Sequence, residues 1–385
     1  MRTEKNRTLA MLLSALMLLC SLTACGSRQG SSKDGDPSAK NLGILHEEEF
    51  GGVYAQMTID KFNALGFAYG DSLDVTFSNG YTLKGIPYYN GYYTKAGEPL
   101  LVAYPGYPYI KICINNGDDL FLLAGLTEQD RVTISRAEQG TFQAIQNARD
   151  IHYQDDRSLF SSDAVFANFR AVSAGTIAEG MLCRSASPCD NQHNRAGYVD
   201  ALMGQAGVNL ILDLADTEEK IAGYLEQEGF DSPNFLTLYK QGQVVPLGLN
   251  MNFASEEFRA KIVRGLAAMS ETPGPYLVHC TEGKDRTGFV CMLLEALCGA
   301  DYAQIVEDYM ITYDNYYGIT KQKDPDRYNV IVREVLEPMM QAVTGEDADL
   351  VTADFAAAAE TYLLNAGMTK QQIEALRANL SAVSE

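Results

Sequence analysis

The stretch Val278-His279-Cys280-Thr281-Glu282-Gly283-Lys284-Asp285-Arg286-Thr287-Gly288 constrains this chain more than any other. Tyr276 to Val278 read as an apolar strand that ends at a cysteine. A short glycine-containing loop follows, and Arg286 opens a segment, Phe289 to Leu297, whose apolar residues recur on a helical period. A loop between a strand end and a helix start turns successive backbone N–H groups into one concavity, where the helix dipole also favours an anion. Such a nest holds a phosphate.

The side chains say what happens to that phosphate. Cys280 sits at the mouth of the nest, where N–H groups and the Arg286 guanidinium hold a thiol as its reactive thiolate. Arg286, five residues on, can fork two N–H donors onto two phosphate oxygens, which a lysine cannot copy. The Thr287 hydroxyl can hydrogen-bond the sulfur as it leaves, and His279 can orient the loop from behind. Gly283 and Gly288 permit geometry and close approach that a Cβ hinders. Thr281, Glu282 and Lys284 complete the rim. The implied chemistry is covalent: thiolate attack on phosphorus, a cysteinyl-phosphate, then hydrolysis. A lone cysteine at a strand end is usually structural, but the surrounding residues at these offsets argue against that here.

The segment resembles the signature loop of the cysteine-dependent protein tyrosine phosphatases, His-Cys-x5-Arg-Thr-Gly. Its Gly-Lys-Asp-Arg-Thr-Gly ending resembles a bacterial branch acting on phosphotyrosine and, in several members, on phosphoserine, phosphothreonine or phosphoinositides. Asn168-Phe169-Arg170 and the later Arg184-Ser185 pair resemble the opening of that branch. Arg184 can therefore face phosphate or pin a loop, and substrate binding is the role assigned to it. Asn209-Leu210-Ile211-Leu212-Asp213-Leu214 resembles a family segment ending Asp-Leu-Arg, with Ala215 in place of the arginine. Asp308-Tyr309-Met310-Ile311-Thr312 and the end, from Tyr362 to Ile373, fit the branch too. The resemblance runs from about Asn168 to Leu380 and implies a mainly parallel sheet flanked by helices. No tryptophan exists, so a Trp-Pro-Asp loop is absent.

The leaving phenolate needs a proton, which a carboxylic acid near the loop supplies. Asp213, ending a strand, is slightly preferred over Asp285, which can instead orient Arg286 or the attacking water; a strand-end cap is the competing reading of Asp213. Lys284 goes, by resemblance, with branches that accept inositol lipids, since its ammonium can meet a second phosphate. Glu282 puts a negative charge on the same rim, which favours phosphotyrosine protein over phosphoinositide or inositol phosphate. A rival from another class is a surface module that holds phosphorylated ligands without turnover.

Upstream, Arg2, Lys5 and Arg7 precede a short apolar run, Leu9 to Cys20, and then Leu22-Thr23-Ala24-Cys25-Gly26. That pentapeptide resembles the lipobox of bacterial lipoprotein precursors, which implies residues 1–24 as a signal peptide and Cys25 as a lipid anchor. Residues 25–46, rich in Gly, Ser, Lys and Asp, read as a tether off the membrane, and the folded part as extracytoplasmic. A formal net charge of −20 argues against nucleic acid as a partner. The four histidines are scattered, no metal-ligand spacing appears, and no cofactor is implied. Cys183 and Cys189 are close enough for a loop disulfide outside the cell. Cys291 and Cys298, seven apart, read as core.

Residues 47–140 read as a small β-rich domain, barrel or sandwich. Leu73 to Phe77 alternate, Asn79-Gly80 is a hairpin turn, and Tyr81 to Leu83 restart the alternation. Leu100 to Ala103, Tyr109 to Ile114 and Asp119 to Leu123 read as further strands. Its clustered tyrosines can line a carbohydrate or partner site, or pack across strands. Residues 141–385 then alternate strand and helix and read as the catalytic α/β domain, with the cysteine loop at the carboxyl end of a strand.

Overall fold

The computed structural model describes residues 36–253 and 255–382. The expected signal peptide and Cys25 lie outside the described residues. From Ser38 to Glu385 the chain forms one compact unit. Among the described residues no helix is long and apolar enough to cross a membrane.

Strands β1 (Ser38–His46), β2 (Val53–Ala55), β3 (Ser72–Phe77), β4 (Thr82–Tyr89), β5 (Pro99–Val102), β6 (Ile110–Ile114) and β7 (Arg131–Glu138) close into a barrel ordered β1-β2-β6-β5-β4-β3-β7. Its interior follows period-two alternation: Leu73, Val75 and Phe77 of β3 are buried with Ile110, Ile112, Val132 and Ile134. Gly80, at φ +94°, makes the turn between β3 and β4. Two expectations change here. First, β1 lies inside the stretch read as tether. Its pairing with β7 shifts register between Ala39 and Leu42, and Asn41 adopts φ +56°. That bulge breaks the alternation by which a strand is read. Second, Asp119 to Leu123 is not a strand. Asp119 accepts the Phe121 N–H at 2.9 Å and caps a short helix, Leu120–Leu123.

Two of the clustered tyrosines are spent inside this wall, while Tyr104 is exposed. Tyr88 and Tyr89 are fully buried. The Tyr92 and Tyr107 hydroxyls bond each other at 2.6 Å, and both rings lie near the buried Lys111–Glu47 ion pair. Tyr89, Leu100, Val102 and Cys113 pack with Phe142 and Ile145, which carries the barrel onto the following helix, Gln143–Arg149.

The second sheet is ordered β11-β10-β12-β9-β8, from β8 (Arg170–Ala171), β9 (Leu182–Ser185), β10 (Leu210–Asp213), β11 (Val244–Pro246) and β12 (Tyr276–His279). It is mixed: β11, β10, β12 and β9 run parallel, and the edge strand β8 is antiparallel to β9. Both faces are covered. Leu182, Leu210, Leu212, Tyr276 and Val278 join a core with the helices Glu256–Glu271, Asp285–Leu297, Phe355–Ala366 and Lys370–Ser381. The alternate residues Cys183, Ile211 and Leu277 pack instead with the helices Ala196–Gln205, Glu218–Leu225 and Pro233–Lys240. The last of these is not anticipated by the strand–helix alternation, although Pro233 at its start is a helix-opening signal.

Asp285–Leu297 is the central helix. Every residue from Thr287 to Leu297 is buried, as an all-round apolar helix requires. At about 1.5–3 kcal/mol for each fully buried large apolar side chain, this helix cannot shift without heavy loss. Its N-terminus, and the loop feeding it, are therefore fixed in position. Cys291 and Cys298 lie in this core, and Cys183 and Cys189, close enough in sequence for a loop disulfide, are free buried thiols.

Candidate active site

The loop from Cys280 to Arg286 joins β12 to the central helix, and its carbonyl oxygens are tied from outside. The Thr281 carbonyl accepts the Ser187 N–H at 3.1 Å. The Glu282 carbonyl accepts the Tyr316 hydroxyl at 2.7 Å, and Gly283 accepts Arg184 at 3.0 Å and Asn168 at 3.2 Å. Lys284 accepts the Gly288 N–H at 2.7 Å, the first turn of the helix. With its carbonyls held outward, the loop presents its N–H groups inward. Gly283, at φ +68°, makes this possible: a Cβ there would sit 2.2 Å from the Ser185 carbonyl oxygen. At Gly288 a Cβ would meet the Tyr309 ring at 2.4 Å.

Arg184 is corrected by this geometry. It does not reach the cavity over Cys280; its buried guanidinium bonds Asp308 at 2.5 Å and the loop carbonyls. Asp308 also holds Arg170 at 3.0 Å, and Arg170 in turn donates to Asn168 at 2.9 Å. The Asn168-Phe169-Arg170 segment thus serves as the outer clamp of the loop. Because removing one partner of a buried pair strands the other, Arg184→Met is expected to cost about 3–5 kcal/mol in urea unfolding. A phosphate ligand would behave otherwise, raising KM with stability unchanged.

Cys280 is buried at the base of a cavity of about 200 Å³ lined by Met251, Thr281, Glu282, Asp285 and Arg286. Burial raises its thiol pKa, but the Arg286 charge, the Thr287 hydroxyl and N–H, and the Glu282 N–H together bring it below the ordinary 9.0. The buried Thr287 hydroxyl has no hydrogen-bond partner of ordinary length, which leaves it for the sulfur. Arg286 is aimed by the Leu249 carbonyl at 3.2 Å and the Thr281 hydroxyl at 3.3 Å. A lowered pKa means the thiolate persists as pH falls. Alkylation of Cys280 by iodoacetamide should therefore show a midpoint below 9.0, and Arg286→Met should move it upward. An unchanged midpoint in that variant would remove Arg286 as the cause.

His279 is buried behind the loop, and its Nδ1 lies 3.3 Å from the Cys280 carbonyl oxygen. Desolvation holds its pKa down at about 4, so it is neutral at physiological pH. The two acid candidates part company. Asp213 is fully buried, and its Oδ1 accepts the Ala215 and Asp216 N–H groups at 3.0 Å, as a strand-end cap does. Burial pushes its carboxyl up to about 6. It does not line the cavity; Asp285 does, accepting the Tyr309 hydroxyl at 3.3 Å.

Lys284 is not free either. Its ammonium lies 3.3 Å from Glu282 and 3.7 Å from Asp285, and Tyr153 donates to Glu282 while accepting from Lys284 at 3.2 Å. Burial alone would lower the Lys284 pKa, but the Asp285 and Glu282 charges hold it well above the ordinary value. Tyr153, Tyr316 and Met251 escape reading from sequence, because each joins the site from a segment distant in the chain and carries no motif; Asp308 opens a segment that fits the branch, but its role as the partner of Arg184 is not legible there.

The family model described as tyrosine phosphatase family matches residues 141–382. The match begins before Asn168 and so takes in Tyr153. A tyrosine-protein phosphatase of Nostoc commune is 39% identical over 64 residues, 17% of this chain and 21% of its own length. The match thus spans about a fifth of that relative. Among solved structures, the core catalytic domain of the PP-IP phosphatase SIW14 from S. cerevisiae, in complex with citrate, shares 20% identity. It aligns over 42% of this chain and 83% of its own at a TM-score of 0.25. TpbA of P. aeruginosa shares 19% identity over 56% of this chain and 96% of its own, at a TM-score of 0.21. With a family match over more than half its length and a cysteine loop built to receive an anion, the chain belongs to the tyrosine phosphatase family.

Proposed function

We propose that this phosphatase hydrolyses protein phosphotyrosine, with phosphoserine or phosphothreonine as further substrates, through a phosphate ester on Cys280. Cys280 attacks phosphorus, Arg286 and the loop N–H groups of Thr281, Glu282, Gly283 and Lys284 receive the equatorial oxygens, and Thr287 steadies the departing sulfur; the Gly288 N–H, expected at the phosphate, is spent on the Lys284 carbonyl. Asp285 is the proton donor to the leaving oxygen. One observation carries the choice of substrate: Lys284 is neutralised by Glu282 and Asp285. Among the described residues lining the cavity, Arg286 is then the positive charge left for an incoming phosphate. One cation suits one phosphate monoester and offers nothing to the further phosphates of a polyphosphate. Met251 gives an aromatic leaving group a polarisable apolar flank.

A panel of phosphotyrosine peptides, inositol phosphates and phosphoinositide vesicles tests this. Phosphopeptide kcat/KM should exceed the others by at least about tenfold, or 1.4 kcal/mol. Preference for a multiply phosphorylated inositol would replace this reading with the phosphoinositide one.

The Leu22-Thr23-Ala24-Cys25-Gly26 motif supports a further proposal, that the chain is lipid-anchored through Cys25 on the outer side of a bacterial cell membrane. Cys25→Ala should move the protein from the membrane pellet to the soluble fraction. Retention in the pellet would remove the anchor.

A further inference from the structure

Behind the phosphate loop, away from the cavity, three electron-pair donors converge, and His279 stands beside one of them. Asp213 spends Oδ1 on the Ala215 and Asp216 N–H groups, and its Oδ2 lies 3.9 Å from Cys189 Sγ and 3.8 Å from His279 Nε2. Asp216 gives Oδ1 to the Tyr224 hydroxyl at 3.2 Å, while its Oδ2 is buried without a partner. One ligand atom each from Cys189, Asp213 and Asp216 lie within 4.8 Å of one another, and all three residues are buried.

His279 supplies an independent observation. The Cys280 carbonyl can only accept, so the proton sits on Nδ1 and Nε2 carries a lone pair. That Nε2 is fully buried and has no hydrogen-bond partner among the described residues. It faces a carboxylate oxygen, so two acceptors oppose each other at 3.8 Å, too far to share a proton. A tetrahedral zinc ion, with arms of about 2.0–2.3 Å, sets its ligand atoms roughly 3.3–3.6 Å apart. From Asp213 Oδ2, Cys189 Sγ and His279 Nε2 stand a few tenths of an ångström beyond that, and the Cys189, Asp213 and Asp216 atoms lie within 4.8 Å of one another, so the donors draw inward on binding. Sequence spacing gives no hint of such a site, since the donors come from three separate segments.

We propose that Cys189, Asp213 and Asp216 form a buried site for a zinc-class divalent cation, with Nε2 of His279 as the fourth ligand. Binding releases the Cys189 thiol proton to solvent and leaves a thiolate on the metal. The cation would bridge the end of β10 to the residue preceding the nucleophile, bracing the loop from behind.

The test uses the purified full chain in detergent, stripped with chelator and titrated with zinc against a chromophoric competitor. The Cys280→Ser background keeps the nucleophile from contributing a ligand. One zinc per chain is expected there, with affinity falling at least tenfold in Cys189→Ser and in Asp216→Asn. X-ray absorption of the loaded Cys280→Ser chain should show one sulfur among nitrogen and oxygen neighbours. Absence of stoichiometric binding, binding unaltered by both substitutions, or a spectrum without sulfur would each overturn the site. Should Cys189→Ser fail to fold, Asp216→Asn and the spectrum decide. Turnover is not measured, so failure here leaves the phosphatase reading untouched.

Discussion

Cys280→Ser is expected to lose turnover of an aryl phosphate by about 10⁴-fold or more, while the protein folds and still binds phosphate. The substitution exchanges sulfur for oxygen and little else, so the clamp of Asn168, Arg184 and Asp308 remains in place. What changes is ionisation. Arg286, Thr287 and two backbone N–H groups bring a thiol below 9.0, but the same groups cannot ionise an alcohol that starts far higher. His279 cannot act as base for it, since the proton on Nδ1 faces the Cys280 carbonyl and the ring lies behind the loop. Trapped turnover mixtures of the wild type should carry phosphorus on Cys280 by mass analysis. Equal phosphate release by wild type and variant would leave only a module that binds phosphorylated ligands.

The strand–loop–helix was legible because its signals are local: an apolar strand, a glycine that must take positive φ, and a helix period that begins at the arginine. The flanking α/β alternation was legible for the same reason, and the helix Ala196–Gln205 buries Ala196, Val199 and Met203 on one face. Where several local rules conflict, reading failed. The bulge at Asn41 hid β1 among polar residues, and Leu120 to Leu123 are apolar throughout, so Asp119 as a cap decided for helix. The site was legible only along its own loop. Sequence says that Arg184 is charged, not which way it points, and its partner Asp308 lies 124 residues on. Asp213 followed the same logic: a carboxylate at the carboxyl end of a strand is near the loop, but the turn N–H groups that claim it point it away from the cavity.

Asp285→Asn is expected to slow phosphotyrosine hydrolysis by about 10²–10⁴-fold, the span of a single general acid, and to do so unevenly across leaving groups. A phenolate from tyrosine departs poorly without a proton, whereas a nitrophenolate needs little help. Plotted against leaving-group pKa, kcat/KM of Asp285→Asn should fall more steeply than that of the wild type. Asp285 can serve because it lines the cavity and opens the central helix; the Tyr309 hydroxyl orients Oδ1, and Oδ2, with the Lys284 ammonium at 3.7 Å and so beyond a hydrogen bond, is left to carry the proton. Asp213→Asn should differ in kind. Its amide keeps Oδ1 for the Ala215 and Asp216 N–H groups but puts an NH2 where Oδ2 faces Cys189 and His279, so the floor behind Cys280 is disturbed, lowering every substrate by a similar factor. A steeper leaving-group slope in Asp213→Asn than in Asp285→Asn would return the proton to the buried aspartate. That outcome would require the floor behind Cys280 to open during turnover, because the closed arrangement gives Asp213 no path to the leaving oxygen.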